Sequence, residues 1–171
     1  MKNLNRLTVT QNILKLIDQS GITDVEFANL LEKSVRTIKR IREQQSLFTV
    51  DDINKSASFF QIDIRKMNNS KIKFEDNFRH NLLAKHKHHT AYSPLLEKKP
   101  SISYAIRYYL LKEQKFKIGL TVHEIKEYFS VLKWDYSSSY ISTAMVRNND
   151  LIEISQTKIV NGKKINVYRK K

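Results

Sequence analysis

Apolar residues recur at helical spacing in four successive runs before residue 68. They are Ile13, Leu14, Leu16 and Ile17; Phe27, Ala28, Leu30 and Leu31; Ile38 and Ile41; and Ile53, Ala57 and Phe60. Such stripes give one apolar face per helix, and that face must be buried against another helix. Start signals accompany the runs. Thr23 precedes the second with Glu26 three residues on, a capping-box spacing; Ser34 precedes the third; Thr49, with Asp52 beyond it, precedes the fourth. Asp63 is placed to cap a short fifth helix through Arg65 to Asn68. Connections of a few residues between these runs predict a five-helix, all-α bundle over residues 1–68.

From residue 69 to residue 100 the pattern weakens. Both prolines (Pro94 and Pro100) and four of the five histidines (His80, His86, His88 and His89) lie here among many lysines. The stretch reads as a basic linker holding one helix, Glu75 to His86, whose Phe78, Leu82 and Leu83 suit a dimer contact. Residues 101–171 change character again. Ser101 is placed to cap a helix carrying Ile102, Ala105, Ile106, Tyr109 and Leu110. Thr121 and Glu124 form a second capping box opening a helix with Val122, Ile125, Tyr128 and Phe129, and a third helix runs from Ser137 to Asn148 with Ile141, Ala144 and Met145 inward. The period then shifts to two. Leu151–Val160 and Lys164–Arg169 flank Asn161-Gly162, the strongest short-range hairpin signal, with Ile154, Val160, Ile165 and Val167 expected on one face. Three helices followed by a β-hairpin is the order of a winged helix. The fold class expected is therefore mainly α, a helical bundle joined by a linker to a winged-helix domain.

Charge narrows the function. The chain has 31 Lys+Arg against 17 Asp+Glu, a net charge of +14, and the excess is greatest after residue 68. A polyanionic partner is expected, nucleic acid before a membrane surface. The sequence has no cysteine, which excludes disulfides, thiol nucleophiles and Cys-ligated metal. With three glycines, no segment reads as a phosphate loop. The histidines sit among lysines, without metal-ligand spacing, and belong to a solvated face. No Ser/His/Asp arrangement stands out. Neither an enzyme nor a cofactor or metal site is expected. No apolar run reaches the length of a membrane span, and a cytoplasmic protein is expected.

The helix after Thr23, the turn at Glu32-Lys33 and the helix after Ser34 form a helix-turn-helix pattern. Ile22-Thr-Asp-Val-Glu-Phe-Ala28, Ser34-Val-Arg-Thr-Ile-Lys-Arg-Ile41 and Ala57-Ser-Phe-Phe-Gln-Ile-Asp63 together resemble the Cro/phage-repressor (XRE) family over about 60 residues. That resemblance implies a five-helix bundle whose third helix lies in the major groove of DNA. On physical grounds, Ile38 and Ile41 face inward and leave Val35, Arg36, Thr37, Lys39 and Arg40 outward. Arg36 and Arg40 stand one turn apart, each able to fork onto guanine O6 and N7. Val35 suits a thymine methyl; Ser34, Thr37 and Lys39 suit phosphate oxygens. Two positions depart from the family pattern. Asp24 stands where many members carry Gln, and its charge repels a phosphate. Arg42-Glu-Gln44 replaces the usual Glu-x-Gly, so a different turn is expected there.

The segment from Ser101 looks like the winged-helix domains of bacterial transcription regulators. Its candidate recognition helix presents Ser138, Ser139, Ser142, Thr143 and Arg147, and its wing tip presents Lys163 and Lys164. Most of the aromatics around it, from Tyr104 to Tyr140, have core spacing; stacking on single-stranded bases is the functional alternative. The expected function is sequence-specific double-stranded DNA binding by a transcription regulator, working as a homodimer. An antitoxin-like or adaptor protein, using the winged half to hold a protein partner, is the alternative. A replication-origin or plasmid-partition binder is a variant with the same DNA chemistry.

Overall fold

A computed structural model describes residues 4–70, 72–74, 77–160 and 162–171. The chain divides into two compact units, Met1–Lys98 and Lys99–Lys171. Among the described residues it is mainly helical, with one small antiparallel sheet.

The first unit opens with α1 (Arg6–Ser20), capped by the Asn5 side chain. Four helices follow: α2 (Asp24–Leu30), α3 (Val35–Arg42), α4 (Val50–Phe60) and α5 (Ile64–Met67). Thr23, Ser34, Thr49 and Asp63 cap them as the sequence predicts, and Thr23/Glu26 and Thr49/Asp52 close complete capping boxes. Their apolar stripes meet in one core around Ile13, Phe27, Ile38, Ile53, Phe59 and Phe60, all buried. Phe27 stacks on Phe60 at 5.8 Å between ring centres.

The expected linker is different. Residues up to Lys98 belong to the first unit, and α6 (Phe78–Lys85) and α7 (Ser93–Glu97) pack on it. Leu82 and Leu96 enter the bundle's core, with Phe78 and Leu83 partly buried against it. The face read as a dimer contact is thus covered within the unit. Arg79 ties the segment down, donating to the carbonyls of Ser20, Leu96 and Lys98 at 2.5, 2.6 and 2.7 Å. His86, expected on a solvated face, is buried. Its ring stacks on Phe59, and its Nε2 lies 2.6 Å from the Phe59 carbonyl oxygen. Apolar spacing across this stretch is too broken to reveal a helix pair, although its leucines suffice to close the core. The first two residues of the expected helix, Glu75 and Asp76, lie outside the described residues.

The second unit runs α8 (Ile102–Tyr108), a 3-10 turn (Leu110–Lys112), α9 (Gln114–Ile118), β1 (Leu120–Thr121), α10 (Val122–Val131), α11 (Ser138–Arg147), β2 (Ile152–Val160) and β3 (Lys163–Lys170). Caps at Ser101 and Thr121 agree with the sequence, and Ser137 caps α11. The core gathers Ile106, Leu110, Phe116, Ile125, Phe129 and Ile141. Strand order is β1-β3-β2, all antiparallel. Neither α9 nor β1 carries a local signature, since neither is long enough to show a period. Between them stands Gly119 at φ +134°, where an added Cβ would meet Val167 Cγ1 at 2.7 Å.

Register corrects the expected face of the hairpin. A bulge between Ile154 and Gln156 sets Ile154 opposite Tyr168 and Gln156 opposite Val167. One inserted residue reverses the alternation. Val160, Ile165 and Val167 share one face as expected, while Ile154 falls on the other; of these four only Val167 is buried, together with Ile152 and Tyr168. Of the turn, Asn161 lies outside the described residues; Gly162 has φ +74°.

Candidate nucleic-acid interface

Between α2 and α3 the chain turns through Glu32, whose φ is +58°, and the amide of Lys33 donates to the Ala28 carbonyl at 2.8 Å. Ile38 and Ile41 are fixed in the core. The outward face of α3 then follows from helical geometry: Ser34, Val35, Arg36, Lys39 and Arg40 are exposed and Thr37 is half-buried. Arg36, Lys39 and Arg40 line a shallow open groove with Glu43 and Gln45. Lys39 approaches Glu43 at 3.8 Å, whereas the guanidinium groups of Arg36 and Arg40 have no hydrogen-bond or ion-pair partner among the described residues. Ser34 is committed locally. Its Oγ accepts from the Thr37 amide and pairs with the Thr37 hydroxyl at 2.9 Å.

The two departures from the helix-turn-helix pattern compensate each other. Arg42 grips Asp24, with Nε 2.9 and 2.8 Å from the two carboxylate oxygens and a terminal nitrogen 2.7 Å from Oδ1. The same guanidinium reaches Asp18 of α1 at 2.9 Å. Burial disfavours the Arg42 charge, but the hydrogen bonds and field of Asp24 and Asp18 outweigh it and raise its pKa. The Asp24 charge is therefore paired within the protein's own surface network, and one side chain joins α1, α2 and the end of α3. The following turn keeps the left-handed residue that a glycine ordinarily supplies: Gln44 has φ +60°.

In the second unit, Ser138, Ser139, Thr143 and Arg147 of α11 are exposed and Ser142 is half-buried. Their hydroxyls are only partly free. Thr143 donates to the Ser139 carbonyl at 2.9 Å, and Ser139 pairs with the capping Ser137 at 3.2 Å. On the same surface Tyr140, grouped by its spacing with the core aromatics, is 45% exposed, and Val146, which sequence reasoning missed, is 61% exposed. Lys163 and Lys164 are exposed near the hairpin's end. As neighbours in an extended strand they project to opposite faces. Lys158, also missed, pairs with Ile165 and shares the face of Lys163. A period-two count from the turn identifies it.

Among the described residues, no group of three His, Cys, Asp or Glu could hold a metal ion. No helix there is long and apolar enough to cross a membrane. Compared with models of known protein families, with curated proteins and with solved structures, the chain matches none of them.

Proposed function

We propose that this chain is a sequence-specific double-stranded DNA-binding transcription regulator. In this reading α3 of a Cro/repressor-like bundle enters the major groove. The second unit acts as a winged helix that supplies another DNA contact or dimerises the chain. One observation carries the proposal: α3 is anchored by Ile38 and Ile41 and offers Arg36 and Arg40 one turn apart, exposed and with their guanidinium groups without partners among the described residues. A guanidinium held that way keeps its fork for a base edge, and the N-terminal part of a recognition helix is what reaches the bases. Arg42 supports the reading by pairing the Asp24 charge that otherwise repels an incoming phosphate.

Selection of bound duplexes from a random pool by the full chain, at near-physiological salt, tests it. An enriched motif is expected, and a palindrome within it gives the half-site spacing of a dimer. Arg36→Ala and Arg40→Ala each weaken binding to the selected duplex by about 1–3 kcal/mol and leave random duplex little changed. Replacing Lys163 and Lys164 with alanine weakens both evenly. Equal losses on both duplexes for all four changes defeat the assignment.

Tyr140 and Val146 favour a second reading, in which α11 holds a protein partner as an antitoxin-like or adaptor module does. A stoichiometric protein partner that co-purifies with the chain, combined with only weak DNA binding, selects that reading.

A further inference from the structure

The outer half of the β2–β3 hairpin stands apart from the core. β1 pairs only with Val167 and Tyr168, so beyond them the sheet narrows to a two-stranded ribbon. Five residues, Gln156 to Val160, carry the ribbon roughly 15 Å past the bulge at about 3.3 Å each. Every described residue from Gln156 to Lys164 is exposed. The two residues before the turn are nevertheless aliphatic: Ile159 is 73% exposed and Val160 45%. Register sets Val160 on one face with Lys158 and Lys163, and Ile159 on the other with Lys164. No acidic residue follows Glu153 in the sequence.

A basic ribbon ending in bare aliphatic side chains fits a partner that is anionic outside and apolar within. A DNA groove is such a partner, with two walls of phosphate and stacked bases between them. Lysines on both faces of the ribbon match two walls, whereas a lipid headgroup plane offers a single surface. Apolar side chains driven between base steps from the minor groove unstack them and kink the duplex.

We propose that Ile159 is such a wedge. It enters a base step from the minor groove while Val160 faces away on the ribbon's other side, Lys163 and Lys164 take phosphates on the two strands, and the bound DNA is bent. The inference rests on the DNA-binding reading above and adds what the hairpin does to the duplex.

The test uses the full chain and an A·T-rich duplex of about 30 base pairs with a central TA step, which kinks readily. Dyes at the two ends report the end-to-end distance at saturating protein, and anisotropy reports binding. The wild-type chain is expected to bend the duplex by roughly 20–90°. Ile159→Ser still binds but leaves the duplex straight; its site is exposed, so the fold survives, as circular dichroism checks. Lys163→Ala weakens binding and keeps the bend at saturation. Wild-type binding without bending, or equal bending by Ile159→Ser, overturns the wedge alone. No binding even at low salt overturns the DNA reading and the wedge with it. In that case, Ile159-dependent binding to phosphatidylserine vesicles reassigns the tip to a membrane surface.

Discussion

His86 shows how a residue's surroundings in sequence differ from its surroundings in space. Its neighbours along the chain are lysines and histidines, which read as a solvated tract. In the fold it is enclosed by aromatic rings, stacked on Phe59 at 5.7 Å and edge-on to Tyr92 at 4.9 Å. Its Nε2 also satisfies the Phe59 carbonyl. His86→Ala removes both the ring and the hydrogen bond from a closed site. We expect a loss of about 3 kcal/mol in unfolding free energy, measured by urea denaturation; a loss below about 0.5 kcal/mol, the usual limit for a surface substitution, contradicts this role. Other residues were legible in kind but not in partnership. Arg36 and Arg40 followed from helical spacing alone, since they need only face outward. Asp24 looked hostile to phosphate because its answer, Arg42, lies eighteen residues away and becomes its neighbour only when α2 and α3 pack.

At the scale of elements, helices with a local start signal were legible and elements defined by their partners were not. Thr23, Ser34, Thr49, Ser101, Thr121 and Ser137 each bond an amide within their own first turn, so sequence contains the whole interaction. β1 exists because β3 lies beside it, and the bulge is a matter of how β2 pairs with β3, so neither leaves a local trace. The capping box of α10 provides a pH test. The Thr121 amide and hydroxyl both donate to the Glu124 carboxylate at 2.7 Å, and these bonds, aided by the field of Lys158, hold Glu124 below its ordinary pKa of 4.5. A depressed carboxyl pKa adds stability above the unfolded value, and that stability disappears as pH falls through the folded value. Wild type is therefore expected to be more resistant to urea than Glu124→Gln at pH 7. The gap begins to close below pH 4.5 and vanishes once the folded carboxyl is protonated. A gap independent of pH contradicts the assignment.

For the whole molecule, the boundary at Lys98 matters more than the helix count. Residues 1–98 carry 17 basic and 11 acidic side chains, and residues 99–171 carry 14 and 6, so both units are basic and each has its own core. A five-helix bundle ending near residue 68 leaves Phe59 and Phe60 without the cover that α6 and α7 provide, and leaves the Ser20 carbonyl without Arg79. Burying a leucine contributes about 1.5–3 kcal/mol, so losing Leu82 and Leu96 alone removes roughly 3–6 kcal/mol, a large share of the roughly 5–15 kcal/mol that holds a typical domain folded. A fragment of residues 1–98 is therefore expected to unfold cooperatively in urea, and a fragment of residues 1–70 to unfold at a clearly lower midpoint with less helical signal. Equal midpoints would show that α6 and α7 only rest on the bundle. The same pair of fragments separates packing from recognition. Because α3 lies wholly within both, the DNA-binding reading proposed above expects the 1–98 fragment to show the same duplex preference as the full chain at reduced affinity. The 1–70 fragment should lose it only to the extent that it unfolds.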